Sequence, residues 1–92
     1  MAKRRAKLEV IYDILSIIKE HRNSIRATPL LRLSNLSSER FQEYFSELLA
    51  KGFVREINGG AGKLITLTDK GFRYLDEYKM IVSFIEDFGL SI

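Results

Sequence analysis

The 92-residue sequence contains no cysteine and no tryptophan, and it has only one histidine and one proline. The lack of cysteine excludes disulfides and thiolate ligands, and a single histidine excludes a metal site built from several histidines. We therefore expect no metal and no cofactor. A chain of this length indicates one domain with a marginal core, for which oligomerisation is the expected extra support.

Long apolar runs are also missing from the sequence. None approaches the ~18–20 residues that are needed to cross a bilayer. The N-terminus is basic, as in a signal peptide, but Glu9, Asp13 and Lys19 interrupt the segment behind it. The sequence therefore predicts a cytoplasmic protein that has no membrane partner.

Positive charge is concentrated in the first two-thirds of the chain. The net charge is +3, and the isoelectric point is near 9.3. Residues 1–63 hold twelve Lys/Arg and seven Asp/Glu, whereas residues 64–92 hold three and five. A basic front suits a polyanionic partner such as nucleic acid, and the mildly acidic end suggests a different task.

Three helices are predicted in the first half of the chain. Apolar residues at spacings of three and four predict a first helix over residues 7–22. Thr28 followed by proline is a start signal for a short helix over residues 29–33. A third helix over residues 38–51 follows Ser37, which is a favourable N-cap residue.

The apolar period then changes from helical to extended. Two β-prone runs, residues 53–57 and 64–67, flank a glycine-rich tip over residues 58–63, which predicts a β-hairpin. Thr68 then caps a last helix that reaches about Phe88. This order predicts an α+β fold, a winged helix-turn-helix with three helices, a β-hairpin wing and a long C-terminal helix.

No catalytic constellation is visible in the sequence. A serine nucleophile needs a nearby base, and His21, the single histidine, lies at the polar end of the first helix. Glu39, Glu43 and Glu47 follow one helix face and do not form an acid–base pair. The glycines of the hairpin lack the spacing of a phosphate-binding loop. The sequence therefore predicts that the protein is not an enzyme.

Polar and basic side chains occur where a winged helix-turn-helix contacts duplex DNA. The second helix of the motif meets base edges, while wings and basic arms contact the backbone or the minor groove. We predict base-facing side chains at Ser38, Arg40, Gln42, Glu43 and Ser46, with Arg40 suited to guanine and Gln42 to adenine. Backbone or wing contacts are predicted for Lys3, Arg4, Arg5, Arg26, Arg32, Ser37, Arg55 and Lys63.

The last helix carries an apolar seam. Its large apolar residues are spaced four and three apart, as in a heptad repeat. The predicted homodimer interface comprises Tyr74, Tyr78, Ile81, Val82, Ile85 and Phe88. The alternative is that this helix packs on the first helix of the same chain. In the first interpretation, residues 1–68 form a DNA-binding domain with a basic arm, and residues 69–92 form an antiparallel coiled-coil-type dimerisation helix.

The sequence resembles a family of small archaeal winged-helix DNA-binding proteins, typified by the ten-kilodalton chromatin-associated protein of Sulfolobus. The resemblance lies in residues 7–15, 35–37, 51–54 (Lys-Gly-Phe-Val) and 67–71 (Leu-Thr-Asp-Lys-Gly), which occur in one order over nearly the whole chain. It implies a dimer joined through antiparallel C-terminal helices, with duplex DNA as partner. Implied roles are transcription regulation or chromosome organisation, in association with the nucleoid.

The third helix departs from that family, whose members often carry lysines there. Here the matching surface offers Glu39, Arg40, Gln42, Glu43 and Ser46, and the helix carries three glutamates (Glu39, Glu43 and Glu47) against two cations, Arg40 and Lys51. A selective or weaker DNA binder is therefore expected in place of a strongly basic coat on the chromosome. The rival hypothesis is a protein-interaction module whose acidic third helix faces a protein. A small-molecule sensor would rest only on spare aromatic residues, and no small-molecule ligand is expected.

Overall fold

The computed structural model describes residues 6–90, and its elements follow the predicted order. The helices and strands are α1 Lys7–Glu20, α2 Ala27–Ser34, α3 Ser38–Ala50, β1 Val54–Gly59, β2 Gly62–Leu67 and α4 Asp69–Asp87. Within residues 6–90, no helix is both long and apolar enough to cross a membrane. The four helices and one antiparallel hairpin confirm the predicted winged-helix architecture.

Helix α1 is the centre of the hydrophobic core. Its buried side chains recur at spacings of one, three and four, so the helix is covered along a broad stripe. This stripe contacts α2, α4 and β2. After α1, Arg22 and Asn23 adopt left-handed backbone conformations, with φ of 61° and 56°. The Asn23 side chain then accepts a hydrogen bond of 2.7 Å from the backbone N–H of Leu67, which fixes the chain reversal against β2.

Helix α2 begins two residues earlier than Thr28 and Pro29 predict. Arg26 occupies the N-cap position without a side-chain cap, and the first helical hydrogen bond runs from the N–H of Leu30 to its carbonyl. Pro29 is therefore the third helical residue, where a backbone N–H would have no intrahelical partner. Its fixed φ suits that position. Proline therefore does mark the start of α2, but as the third residue of the helix and not the first.

Helix α3 confirms its predicted N-terminus. The Ser37 side chain accepts a hydrogen bond of 3.2 Å from the backbone N–H of Arg40. Phe41, Phe45 and Leu48 bury one face of the helix against the core. The helix ends at Ala50, and Gly52 takes a φ of 79°, a left-handed conformation that side chains rarely adopt.

The wing is a tighter hairpin than the sequence predicts. The strands pair from Val54 with Leu67 to Gly59 with Gly62, so that only residues 60–61 form the loop. The predicted six-residue tip was therefore wrong, because Asn58 and Lys63 pair as strand residues. A further bridge joins Ile25 to Ile65 and connects the start of the helix-turn-helix to the wing.

The first turn of α4 is fastened to the end of α3. The Thr68 hydroxyl donates to the carbonyl of Gly52, and its oxygen accepts from the N–H of Gly71 at 3.2 Å. The Lys70 ammonium donates to the carbonyl of Lys51 at 2.7 Å. A Cβ atom at Gly71 would overlap the carbonyl oxygen of Phe53, so the two backbones meet closely there. These contacts join the start of α4 to the turn that follows α3.

Candidate nucleic-acid interface

The exposed face of α3 is set by the residues that it buries. With 3.6 residues per turn, the direction opposite Phe41 and Leu48 is occupied by Glu39, Glu43 and Ser46. All three are exposed, as are Ser38 and Gln42 on one side of them. The structure thus places four of the five predicted base-facing residues on one continuous surface. Glu39 belongs to this surface as well, although it was not among the five predicted residues.

Arg40 lies on the opposite edge of α3 from Gln42. Its guanidinium carbon is 5.9 Å from the ring centroid of Tyr44. Beside it, the Lys7 ammonium forms an ion pair of 3.0 Å with Glu47. These residues line one shallow depression between α1 and α3. The position of Arg40 suits a phosphate at the edge of a groove better than a guanine at its centre.

Lys7 lies beside α3, a position that the sequence did not predict for it. It stands in the basic N-terminal arm of the sequence, and the signal was the excess of carboxylates on α3, which need a cation nearby. Its contact with Glu47 brings the start of α1 to the side of α3. The predicted arm residues Lys3, Arg4 and Arg5 lie outside the described residues.

The turn between α2 and α3 brings together a second group of predicted contacts. Arg32, Ser37 and Ser38 line one shallow depression at this turn. The N-terminus of α3 directs free backbone N–H groups toward the same place, which favours an anion. Arg26 precedes α2 and is also exposed, but it does not line this depression.

The two predicted wing cations do not share a face. Arg55 pairs with Thr66, and Lys63 pairs with Asn58. Because opposite residues share a face and successive residues alternate, Arg55 and Lys63 project from opposite sides of the hairpin. Lys63 shares its side with the core-facing residues, while Arg55 is on the outer side. The two side chains therefore do not face the same DNA surface.

The first half of the predicted dimer seam packs within the protomer. The Tyr74 hydroxyl donates a hydrogen bond of 2.7 Å to the carbonyl of Leu8, and the Tyr78 ring stacks on Tyr12 with centroids 4.5 Å apart. Burial, together with the neighbouring Tyr78, raises the pKa of Tyr74 to about 12. Tyr74 and Tyr78 therefore pack on α1 of the same chain, which was the alternative to a dimer interface.

The second half of α4 leaves a large apolar surface uncovered. Ile81, Phe84 and Phe88 are 55%, 60% and 67% exposed. The rings of Phe84 and Phe88 pack on each other at 4.8 Å, while Val82 and Ile85 are half-buried. Such a surface is unusual on a monomeric protein. We call Ile81, Phe84 and Phe88 the apolar stripe.

A groove lies on the same side of α4, nearer to its N-terminus. Its lining combines aromatic and aliphatic side chains with four charged ones, Asp69, Lys70, Arg73 and Glu77. It encloses about 470 Å³. Its apolar lining residues are Leu8, Phe53, Tyr74, Tyr78 and Ile81. The groove and the apolar stripe meet at Ile81, so one molecule carries both a concave and a convex apolar surface.

The chain belongs to the winged helix-turn-helix family, whose model matches residues 4–86. This match extends over the helix-turn-helix, the wing and most of α4. No curated protein sequence matches the chain.

Solved structures share this fold at low sequence identity. The chain is similar to Sso10a-2, a DNA-binding protein from Sulfolobus solfataricus, with 18% identity, a TM-score of 0.73, and coverage of 91% of this chain and 85% of that one. It is also similar to F93 from STIV, a winged-helix DNA-binding protein, with 18% identity, a TM-score of 0.73, and coverage of 84% and 90%. The PcaV transcriptional regulator from Streptomyces coelicolor matches at 17% identity and a TM-score of 0.66, over 85% of this chain and 62% of that one.

Proposed function

We propose that this protein is a homodimer that binds double-stranded DNA and acts in transcription regulation or chromosome organisation. The observation that carries the proposal is the winged helix itself, in which α3 presents a polar surface that the core does not use. Its solved structural neighbours include DNA-binding proteins and a transcriptional regulator. The protein would associate with the nucleoid, and we assign it no catalytic step.

The proposed contacts divide into a central and a peripheral set. Ser38, Glu39, Gln42, Glu43 and Ser46 face the bases in the major groove. Phosphates on one side meet Arg40. Backbone contacts also stay predicted for Lys3, Arg4 and Arg5 of the basic arm. Phosphates on the other side meet the turn through Arg26, Arg32 and Ser37. One of the two wing cations, Arg55 or Lys63, adds a backbone contact, since the two side chains project from opposite sides of the hairpin. The sequence predicts a base contact for Arg40. We propose a backbone contact instead, because Arg40 lies beside Tyr44 at the edge of α3.

The proposed dimer uses the groove and the apolar stripe together. A two-fold axis at Ile81 pairs two antiparallel α4 helices so that Phe88 of a second copy lies opposite Tyr74, and Phe84 lies opposite Tyr78. The stripe of each chain then enters the groove of the other, as a self-complementary interface requires. Residues 69–92 would thus serve as the dimerisation helix of a DNA-binding unit formed by residues 1–68.

Half-site spacing follows from this arrangement. Helix α4 is 19 residues long, or about 28 Å, and each end of the pair carries one winged helix. Two α3 helices ~34–36 Å apart would enter successive major grooves on one side of the duplex. Because α3 is fastened to α4 through Thr68 and Lys70, the dimer would hold this spacing firmly.

The second candidate is a protein-interaction module. It is favoured by one observation, the outward position of Glu39 and Glu43 on α3. A Glu43→Lys substitution separates the two functions. It should strengthen binding to a random duplex if α3 enters DNA, and it should leave DNA binding unchanged if α3 faces a protein.

Fluorescence anisotropy of a random duplex as a function of salt tests the proposed function directly. Counterion release predicts a slope of log K against log salt of about −0.9 for each phosphate neutralised. A dimer that engages DNA with both winged helices should give about −4 or steeper, with a dimeric mass in solution. Absence of binding at ~50 mM salt would contradict the proposal and favour the protein-interaction module.

A further inference from the structure

Two carboxylates occupy the centre of the exposed face of α3. Glu39 and Glu43 are neighbours one turn apart, and the burial of Phe41 and Phe45 directs them away from the core. Ser46 continues this face toward the end of the helix. Any ligand that approaches α3 head-on therefore meets two acceptors first.

The other charged groups nearby already have contacts within the protomer. Glu47 pairs with Lys7 at 3.0 Å, and the guanidinium of Arg40 lies against the ring of Tyr44. Over residues 6–90, the ion pairs of the protein involve neither Glu39 nor Glu43, although Glu43 lines the same depression as Lys7 and Arg40. Entry of α3 into a groove would remove water from both carboxylates, and a desolvated charge without a partner is costly. The bound sequence must therefore supply hydrogen-bond donors.

The chemistry of the major groove restricts which base can do so. An ionised carboxylate only accepts hydrogen bonds. In the major groove, the donors are the N4 amino group of cytosine and the N6 amino group of adenine, whereas guanine and thymine present acceptors or a methyl group. Adenine is best read by an amide such as that of Gln42, and cytosine is the usual partner of a glutamate.

We propose that α3 reads cytosine through Glu39 and Glu43, so that the protein selects duplexes with cytosine amino groups facing this helix. The inference rests on the proposed function, since it requires α3 in the major groove. The two residues are separated by about 6 Å along the helix, which corresponds to cytosines one or two base pairs apart at ~3.4 Å per step. The same charges repel phosphates, so they weaken binding to sequences that lack these donors.

Selection of duplexes from a random library with the full chain tests the proposal. Anisotropy is then measured on the best duplex after two chemical replacements at each enriched cytosine. A cytosine–inosine pair keeps the amino group and the major-groove surface, and it should bind as well as the parent. A uracil–adenine pair puts a carbonyl in place of the cytosine amino group and moves the amino donor to the adenine of the other strand. Binding should then fall roughly tenfold at each position.

Glu39→Gln and Glu43→Gln identify the residues that are responsible. Each variant should lose about a tenfold preference for cytosine at one position and gain affinity for a random duplex. Glu20→Gln is the matched control, because it makes the same change in an exposed side chain on α1, away from α3. This control should keep the preference.

Two negative outcomes have different meanings. If the wild-type chain enriches no duplex and binds none at ~50 mM salt, the proposed function itself fails. If it binds DNA but enriches no cytosine, or if both glutamine variants keep the cytosine preference, the proposed function stands and the reading of cytosine is refuted.

Discussion

Replacement of Phe88 by alanine should separate dimerisation from folding. Phe88 is 67% exposed in the protomer, and its main neighbour is Phe84 at 4.8 Å. The fold of a single chain therefore gains little from this ring. In the proposed dimer, the same ring lies opposite Tyr74 of the other copy and becomes buried.

The magnitude follows from that exposure. Full burial of a phenylalanine side chain contributes up to about 3 kcal/mol, so burial of the exposed two-thirds contributes about 2 kcal/mol. The two-fold axis doubles the loss in Phe88→Ala to about 4 kcal/mol for each dimer. At 1.4 kcal/mol for each factor of ten, the dimer dissociation constant should rise about 1,000-fold.

Sedimentation equilibrium over a wide concentration range would measure this constant, with thermal unfolding as the check on the protomer. Leu33→Ala is a suitable control, because Leu33 is 50% exposed but lies on α2. A wild-type chain that stays monomeric at high concentration would refute the dimer. A Phe88→Ala dimer as tight as wild type would refute the pairing through the apolar stripe.

Two further predictions concern the contacts that hold α4. Gly71→Ala should lower the free energy of unfolding by ~1–3 kcal/mol in denaturant, because the added Cβ would meet the carbonyl of Phe53. Gly60→Ala is the control and should be nearly neutral, because Gly60 has open space around it. Equal effects of the two substitutions would contradict the reasoning. The pKa of Tyr74 is raised to about 12, chiefly by burial, whereas an unfolded tyrosine titrates near ~10. The neutral phenol therefore contributes stability that is fully present below pH ~10 and is lost as pH rises toward 12. Between pH ~10 and ~12, the thermal midpoint of Tyr74→Phe should therefore fall less steeply with pH than that of the wild type. An equally steep fall would mean that other groups cause the loss of stability.

Much of the fold is readable from local sequence signals. The period of apolar residues in α1 and α3 is helical, and Ser37 and Thr68 cap the helices at the predicted positions. These signals are local, because a cap or an amphipathic stripe depends on residues within a few positions of one another. The start of α2 and the length of the wing loop were predicted less well, since the bridge of Ile25 to Ile65 and the strand register depend on distant residues.

The candidate site was predictable in outline but not in its details. Residue types on α3 indicated a DNA-facing helix, and its helical period identified Glu43 and Ser46 as exposed. The separation of Arg55 from Lys63 required the strand register. The place of Arg40 beside Tyr44 and the pairing of Lys7 with Glu47 required the packing of α1 against α3.

The sequence by itself determined the elements and their order, because propensity, capping and periodicity act over short distances along the chain. Tertiary structure alone decided which half of the α4 seam is free. Tyr74 bonds to Leu8 and Tyr78 stacks on Tyr12 within the protomer, while Phe84 and Phe88 stay exposed. The heptad spacing is the same in both halves, so only the position of a second, distant helix distinguishes core from interface.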